Sequence, residues 1–356
     1  MKITIVTKNL CAGGAERVIS ELLKEWVLDT KNECNLILLE NVEDFYKVPD
    51  NVKIIRMDTQ HNNPILNKLL LYKKVRDNVK KIEPDIVLSF PEEIGIYVIG
   101  ALLGTKIKVV VSERNNPRVM PYKKITRLLR KILYPYGDGF IFQTKQAAEF
   151  FSKRIQHKGT ILPNPLDISR IPCPYENNLE HIVVAAGRFE KQKNFKLLID
   201  AFSIFQQNHP LYKLVIYGDG SLRRELTNYA KERLLTDSFL FPGRNDNLLS
   251  DMQKCEIFVL SSDFEGSPNV LIEAMACGMA VISTNYSPGG VNQIIENEVN
   301  GLIINVGDIN ELVQSLERLA NDKKFANCIR NNAVLIKNRF DSKIVSEKWL
   351  SFLKSI

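Results

Sequence analysis

The segment from Glu256 to Gly278, EIFVLSSDFEGSPNVLIEAMACG, decides the fold of this chain. Its first part, Glu256–Ser261, is a short apolar run of the kind that forms a buried strand. A polar turn follows. Ser267 and Pro268 are then typical of a helix start, with the serine as N-cap and the proline as first helical residue. Apolar residues at helical spacing continue to Gly278, which favours a helix end. The segment therefore predicts a strand, an acidic loop and a helix.

Two acids flank the predicted helix start, Glu265 just before it and Glu273 on its second turn. A helix start attracts anions through its N–H groups and its dipole. Carboxylates repel phosphate, so these two are better suited to accept hydrogen bonds from hydroxyl groups. A ligand with hydroxyls on both sides of a phosphate, such as a nucleotide sugar, fits this pattern. The alternative is a solvated helix residue and an ordinary loop acid, and spacing alone does not decide between the two.

Residues 265–278, EGSPNVLIEAMACG, closely resemble the signature of family 4 retaining glycosyltransferases. The resemblance implies an α/β fold of the GT-B architecture, with two Rossmann-like domains facing across a cleft. It also implies that Glu273 binds the ribose hydroxyls of the donor. By the same resemblance, Glu265 is predicted to be a catalytic residue that binds hydroxyls of the transferred sugar. The helix start contributes further donor-binding residues, namely Gly266, Ser267, Pro268, Asn269 and Val270.

A second motif, Gly187-Arg188-Phe189-Glu190-Lys191-Gln192-Lys193-Asn194, follows the predicted strand 181–186. Fixed cations at such a turn stabilise a departing diphosphate more in the transition state than in the ground state. A solvated basic turn is the alternative. The motif resembles the diphosphate-binding segment of the family, so Arg188 and Lys193 join the predicted catalytic and donor-binding residues, with Gly187 beside them. Gly243 and Arg244 fall where relatives bind the nucleobase through backbone groups.

The first half of the chain opens with a strand, a glycine loop and a helix, in the Rossmann manner. The loop lacks G-x-G-x-x-G, so no nicotinamide cofactor is indicated. It resembles the family's G-G-A-E-R loop, which borders the acceptor, and this makes Gly13, Gly14 and Arg17 acceptor-side candidates. A tight turn is the alternative. Glu113 and Arg114, in S-E-R-N after another predicted strand, are further candidates. Arg114 is expected to contact an acceptor phosphate or to pair with Glu113 or Glu93.

The predicted domains are an acceptor-binding domain, 1–165 plus 341–356, and a nucleotide-sugar domain, 166–340. The boundary lies in the Pro-rich, charged stretch 166–181, after P-N-P at 163–165. The final segment, 344–353, resembles the helix that returns to the first domain.

Charge is unevenly distributed. Residues 1–170 carry 28 lysines and arginines against 19 aspartates and glutamates, while the rest carry 20 against 22. Much of the excess lies in 73–81 and in 123–136, KKITRLLRKILYPY, where basic and apolar residues alternate at helical spacing. Such a helix can lie on an anionic membrane or pack its apolar face on its own domain. No zinc spacing or RNA-binding motif accompanies the charge, so no nucleic-acid partner is predicted.

Composition is that of an ordinary globular protein, with 45% hydrophobic and 25% charged residues among 356. The six cysteines form no C-x-x-C pair, which favours buried free thiols in a reducing compartment. No signal peptide or membrane-spanning run is apparent, which predicts a cytoplasmic location, peripheral on the inner membrane face if the basic helix binds lipid.

The combined prediction is a retaining hexosyltransferase of surface polysaccharide synthesis, such as capsule or lipopolysaccharide. Because S-E-R-N resembles the family members that transfer N-acetylated amino sugars, the resemblance implies N-acetylgalactosamine, or another hexosamine or hexose, as the sugar taken from a UDP-sugar; the family resemblance and the basic first half together favour a polyprenyl-diphosphate-linked or growing glycan as the acceptor. No D-x-D motif lies in a suitable loop, so neither a metal nor another cofactor is expected. The sequence does not indicate an oligomeric state. The alternatives are a nucleotide-sugar 2-epimerase of the same fold and a non-catalytic sugar-nucleotide-binding subunit.

Overall fold

A computed structural model of the chain describes residues 1–11, 13–57, 64–173, 175 and 178–356. Ala12 of the predicted glycine loop, and residues 174, 176 and 177 of the predicted interdomain stretch, lie outside the described residues. The chain divides into two compact units, one formed by Met1–Pro165 with Phe340–Ile356 and the other by Leu166–Arg339.

The first unit contains a parallel sheet in the order β3-β2-β1-β4-β5-β6-β7. Its strands are β1 Lys2–Thr7, β2 Glu33–Leu38, β3 Lys53–Arg56, β4 Ile86–Ser89, β5 Lys108–Ser112, β6 Gly139–Phe142 and β7 Gly159–Ile161. Along β4, Ile86 and Leu88 join one apolar cluster and Val87 joins another. The sheet is therefore buried on both faces, as parallel sheets generally are.

Seven helices of this unit are α1 Gly14–Trp26, α2 Pro64–Ile82, α3 Glu92–Leu102, α4 Lys124–Leu133, α5 Lys145–Glu149, α6 Lys153–His157 and the C-terminal α14 Ser342–Ser355. The returning α14 packs on α1, where the indole N–H of Trp26 donates to the carbonyl of Ser346 at 3.1 Å. Trp349 is fully buried and stacks on Phe90. The predicted return of the last helix to the first unit is confirmed.

The second unit repeats the pattern, with a parallel sheet in the order β10-β9-β8-β11-β12-β13. Its strands are β8 Glu180–Ala186, β9 Lys213–Tyr217, β10 Phe239–Gly243, β11 Cys255–Leu260, β12 Ala280–Thr284 and β13 Leu302–Ile304. The order 3-2-1-4-5-6 within each unit is that of the Rossmann fold. The predicted α/β class with two such sheets is confirmed.

The helices of the second unit are α7 Phe195–Asn208, α8 Arg223–Arg233, α9 Leu248–Met252, α10 Asn269–Ala276, α11 Ile309–Asn321, α12 Lys323–Ala333 and α13 Lys337–Phe340, which ends at the boundary. One apolar cluster joins strand residues such as Val183 and Ile257 to Phe202 of α7 and Leu316 of α11. This packing covers one face of the sheet and leaves the carboxyl ends of its strands to the loops.

Three predictions need correction. Helix α10 begins at Asn269 with Pro268 in the N-cap position and no side-chain cap, so Ser267 is not the cap. The sequence S-P-G-G-V at 287–291 predicts a glycine loop that opens a helix, but it opens only a 3₁₀ turn, Val291–Gln293, because the N–H of Glu296 is bound by the Asn300 side chain in a following turn. All six cysteines are free, but three of them are exposed, namely Cys11, Cys173 and Cys328.

Candidate functional site

Strands β8 and β11 are neighbours at the centre of the second sheet, where the strand order reverses. Ligands of open α/β sheets bind beyond the carboxyl ends of the strands at such a switch point. The loop after β8 carries Gly187 to Asn194, and the loop after β11 carries Ser261 to Pro268. Both motifs singled out in the sequence therefore lie at one edge of one sheet.

Lys193 and Glu265 meet between these loops. The Lys193 ammonium lies 2.5 Å from Oε1 of Glu265, and the two side chains are only 15% and 10% exposed. Screening by water is weak at such a place, so the pair is held more firmly than a surface ion pair. The structure thus brings together one predicted diphosphate-binding cation and the predicted sugar-binding acid.

Several further hydrogen bonds connect the same two loops. The backbone N–H of Asp263 donates to the carbonyl of Gln192 at 2.9 Å, and the hydroxyl of Ser261 donates to the carbonyl of Lys193 at 2.8 Å. Asn194 donates to the Asp263 carboxylate at 2.8 Å. Asn194 also accepts from the N–H of Leu197 and so caps α7 from a left-handed conformation, φ 45°. Hydrogen bonds therefore join the start of α7 to the acidic loop after β11.

Glycines of the neighbouring turns allow a close approach of backbone. The N–H of Gly187 donates to Tyr217. Gly218 has φ +129°, and a Cβ there would lie 1.9 Å from the Gly187 carbonyl oxygen. Gly218 in turn donates to the carbonyl of Gly243, which has φ +89°. These hydrogen bonds place Gly187, Gly218 and Gly243 at the carboxyl ends of the neighbouring strands β8, β9 and β10, along the same edge of the sheet. Arg244 follows, with an exposed side chain.

Helix α10 carries Glu273, which is 4% exposed. Leu271, Ala274 and Met275 are fully buried, whereas Asn269 and Val270 at the helix start are partly exposed. Gly278, at φ +77°, ends the helix: its own N–H and that of Met279 donate back into the last turn, the pattern of a Schellman cap. Glu273 is therefore not a solvated helix residue. Gly266, Ser267 and Pro268 form the loop that leads into this helix.

Arg188 is placed differently from Lys193. Its guanidinium is 65% exposed and lies 3.6 Å from the carboxylate of Glu190. The structure therefore separates the two predicted diphosphate-binding cations into one that is fixed by a buried carboxylate and one that is exposed to solvent.

The first sheet carries the acceptor-side candidates beyond its carboxyl ends. Helix α1 begins at Gly14, with Gly13 extended in the N-cap position. Gly14 is exposed, while Arg17 is 9% exposed. The order of strands again reverses here, between β1 and β4.

Arg114, just beyond β5, is also buried. Its Nη2 donates to Oδ1 of Asn164 at 2.5 Å, its backbone N–H donates to the carboxylate of Glu92 at 3.2 Å, and its guanidinium lies over the Phe90 ring. Burial lowers the pKa of Arg114 to about 10, against the opposing effect of Glu92 and Glu16. The expected pairing with Glu113 or Glu93 is wrong, because the chain brings Asn164 and Glu92 to the guanidinium instead.

Glu113 faces the interior. It is 1% exposed, and its Oε1 accepts from the hydroxyl of Tyr134 at 2.5 Å. Burial, with the nearby Glu92 carboxylate, raises the pKa of Glu113 to about 8. Burial also raises the pKa of Glu92. Sequence reasoning did not assign Glu92, the first residue of α3, to the site, and it used Asn164 only as part of the P-N-P segment that marks the domain boundary.

The basic helix α4 exposes part of its apolar surface. Ile125, Leu128 and Ile132 are 57%, 52% and 53% exposed; together with exposed Tyr122 and Tyr136 they are termed the α4 stripe. Leu129 and Leu133 pack on the core as the intramolecular alternative predicted.

The arginine side chains of α4 do not lie beside the exposed α4 stripe. The Arg130 guanidinium, 5% exposed, donates to the carbonyls of Pro117 and Met120. Exposed Lys124 and Lys131 flank the α4 stripe instead. Among the described residues, no helix is long and apolar enough to span a bilayer, and no group of three or more His, Cys, Asp or Glu is arranged to hold a metal ion.

Comparison with known proteins gives a consistent result for both halves of the chain. The profile described as Glycosyltransferase Family 4 matches residues 12–170, and that described as Glycosyl transferases group 1 matches residues 175–335.

Two curated relatives come from Campylobacter jejuni. The N-acetylgalactosamine-N,N'-diacetylbacillosaminyl-diphospho-undecaprenol 4-alpha-N-acetylgalactosaminyltransferase is 31% identical, with 99% of each chain covered. The GalNAc-alpha-(1->4)-GalNAc-alpha-(1->3)-diNAcBac-PP-undecaprenol alpha-1,4-N-acetyl-D-galactosaminyltransferase is 30% identical, covering 100% of this chain and 99% of the relative. The crystal structure of Anabaena Alr3699/HepE in complex with UDP superposes with a TM-score of 0.83 at 20% identity, with 100% of both chains covered. At that identity the likeness shows the fold.

Proposed function

Because this chain belongs to glycosyltransferase family 4 and has its GT-B fold, we propose that it is a retaining glycosyltransferase that uses a UDP-sugar donor. The observation that carries the proposed donor site is the buried contact between Lys193 and Glu265 at the switch point of the second sheet. A cation for diphosphate and a carboxylate for sugar hydroxyls have to lie side by side there, since the two groups are adjacent in a nucleotide sugar.

Each part of the donor has a proposed partner. Lys193, assisted by Arg188 and the backbone around Gly187, binds the diphosphate. Glu265 accepts hydrogen bonds from the transferred sugar, and Glu273 accepts them from the ribose. The loop Gly266–Val270 borders the diphosphate, and Gly243 and Arg244 border the base. UDP is the expected nucleotide because the fold neighbour Alr3699/HepE was crystallised with it.

The reaction breaks the bond between the anomeric carbon and the diphosphate oxygen and forms a bond to an acceptor hydroxyl on the same face. Negative charge develops on the leaving UDP, where the Lys193 ammonium stabilises it. A donor phosphate oxygen takes the acceptor proton, so no separate protein base is required. This route needs no metal ion, and we expect full turnover in the presence of EDTA.

The names of the relatives support a proposal for the transferred sugar and for the acceptor. Both Campylobacter enzymes are named as N-acetylgalactosamine transferases whose acceptors are diphosphate-linked to undecaprenol. We therefore propose N-acetylgalactosamine as the sugar and a polyprenyl-diphosphate-linked glycan of surface polysaccharide synthesis as the acceptor. Gly13, Gly14, Arg17 and Arg114 are the proposed acceptor-side residues, whereas Glu113 is buried and accepts a hydrogen bond from the Tyr134 hydroxyl.

The α4 stripe is proposed to dock on an anionic membrane surface, where a polyprenyl acceptor resides. Apolar side chains enter the interface while Lys124 and Lys131 meet lipid phosphates, the arrangement of interfacial helices. This proposal places the enzyme in the cytoplasm, peripheral to the inner face of the membrane.

The test is a panel of UDP-sugars incubated with a synthetic polyprenyl-diphosphate-linked disaccharide, with and without EDTA. We expect UDP release and product with UDP-N-acetylgalactosamine only when acceptor is present, with an α-linkage by NMR. Release of UDP independent of acceptor, or inversion at the anomeric carbon, would contradict the proposal.

A further inference from the structure

The Glu265 carboxylate accepts hydrogen bonds from other side chains in addition to its ion pair with Lys193. Its Oε1 accepts from the Lys193 ammonium at 2.5 Å and from the Ser262 hydroxyl at 2.8 Å. Its Oε2 accepts from the Gln192 amide at 3.2 Å. An ionised carboxylate offers about four acceptor positions. Three protein donors therefore leave one position, and it is on Oε2.

Gln192 is itself held in place at several points. Its side-chain amide also donates to the backbone carbonyl of Phe264 at 2.8 Å, and its backbone carbonyl accepts from the backbone N–H of Asp263 at 2.9 Å. One glutamine thus bridges the loop after β8 to three consecutive residues of the loop after β11.

Ser262 is equally restricted. It is fully buried, and its carbonyl accepts from the hydroxyl of Thr284 at 2.5 Å. The backbone of Glu265 is fixed as well, since its N–H donates to the carbonyl of Ser287 at 3.2 Å. The acid therefore has little rotational freedom in either its main chain or its carboxyl group.

We propose that Gln192 and Ser262 are positioning residues that aim the remaining acceptor position of Glu265 Oε2 at one hydroxyl of the transferred sugar. The inference rests on the proposed function of this site. Neither residue touches the reacting atoms, and each acts through Glu265. Because a carboxylate in one fixed orientation bonds one hydroxyl geometry, the two residues also contribute to the choice between sugars that differ at that hydroxyl.

The proposal separates two ligands that share a nucleotide. UDP has no sugar hydroxyl to meet Glu265, so its affinity does not depend on how that carboxylate is aimed. A UDP-sugar does depend on it. We expect Gln192→Met and Ser262→Ala to weaken UDP-N-acetylgalactosamine binding by about 10-fold or more, since hydrogen bonds to charged groups are the stronger ones. We expect UDP binding to stay within about two-fold by the same reasoning.

The experiment is isothermal titration of full-length wild type and variants with UDP and with UDP-N-acetylgalactosamine. Gln207→Met, on the exposed side of α7, is the matched control. Ser262→Thr, which keeps the hydroxyl, should restore sugar binding. Selective loss of the UDP-sugar with rescue by threonine supports the proposal. No loss, or an equal loss of both ligands, overturns it. A wild-type protein that binds neither ligand would instead contradict the proposed function, before any variant is compared.

Discussion

At the residue scale, Lys193 is the side chain on which the proposed chemistry depends most directly. Its ammonium is buried against Glu265, whereas Arg188 is exposed and loosely paired. Removing a fixed donor from a developing charge costs about 10²–10³ in turnover. We therefore expect Lys193→Ala to lower kcat by about that factor and Arg188→Ala to do so less, since solvent already screens its charge.

The control for this prediction lies three residues along the chain. Lys196 is also a cation at the start of α7, but it pairs with Glu225 on the surface at 2.6 Å. Lys196→Ala should leave steady-state kinetics close to wild type. Equal losses for the variants at 193 and 196 would indicate a general charge effect and remove the diphosphate assignment from Lys193.

Glu113 gives a prediction about pH. Burial raises its pKa to about 8 in the folded protein, while an unfolded carboxyl titrates near its ordinary value of 4.5. Between these values the folded state holds a proton that the unfolded state has released. Stability contributed by this group is therefore fully present below the unfolded pKa and is lost as pH rises towards 8.

Glu113→Gln imitates the protonated acid at every pH. Denaturant titrations from pH 5 to 8.5 should show a shallower fall in unfolding free energy for the variant, by at most about 1.4 kcal/mol per pH unit for one proton. Parallel curves for the two proteins would mean that Glu113 is already ionised in the fold. Asp138→Asn, at a partly exposed carboxylate near the same strand, controls for a general loss of charge.

At the scale of single elements, α4 makes the clearest prediction. Three large apolar side chains, Ile125, Leu128 and Ile132, are more than half exposed on one side of the helix. Replacing all three by serine removes apolar surface that water already covers, so the fold should lose little stability. Binding to vesicles with anionic phospholipid should fall at least about 10-fold in a sedimentation assay, because apolar insertion and charge attraction act together.

A matched control uses apolar residues exposed elsewhere. Ile204, Leu211 and Leu235 of the second unit are 43%, 77% and 73% exposed and have no comparable helical arrangement. The corresponding triple serine variant should bind vesicles like wild type. If both triple variants bind equally well, or wild type ignores anionic vesicles, the α4 stripe is not a membrane surface.

Elements were easiest to predict where their signals are local. The sequence predicts a helix over 195–208 and a strand over 213–217, and α7 and β9 have these bounds, since a capping asparagine precedes the apolar period of α7 and a glycine turn follows β9. The start of α10 was not predictable in this way. The backbone N–H of Glu265 donates to the carbonyl of Ser287, which lies 22 residues further along the chain. This hydrogen bond holds the loop extended as far as Pro268.

The site shows the same division. Resemblance to the family placed Lys193 and Glu265 together, and the structure joins them. The contacts of Gln192 and Ser262 with Glu265, and of Asn164 with Arg114, are side-chain hydrogen bonds across loop conformations that no periodicity specifies. The sequence did not decide whether the apolar residues of α4 contact lipid or the core of their own unit, because it does not show how much of the helix surface the core covers.

At the scale of the whole molecule, the chain builds its first unit from both ends of the sequence. Helix α14 belongs to the unit of Met1–Pro165, although the whole second unit lies between them in sequence. Trp349 is its anchor: the ring is fully buried against Phe90, and its N–H donates to the carbonyl of Pro163 at 3.1 Å. Closing this long connection costs entropy that the buried ring has to offset.

This arrangement predicts a destabilisation confined to one unit. Trp349→Ala should cost the first unit about 3–5 kcal/mol, the usual loss for a large aromatic removed from a core. Hydrogen exchange of the full-length protein should then show faster exchange in β1, β4 and α1, with protection of β8 and β11 unchanged. Trp349→Phe keeps an aromatic ring but loses the hydrogen bond to Pro163, so its loss of stability should be intermediate between wild type and Trp349→Ala. Equal loss of protection in both units would show that they unfold together and that α14 stabilises the molecule as one cooperative body.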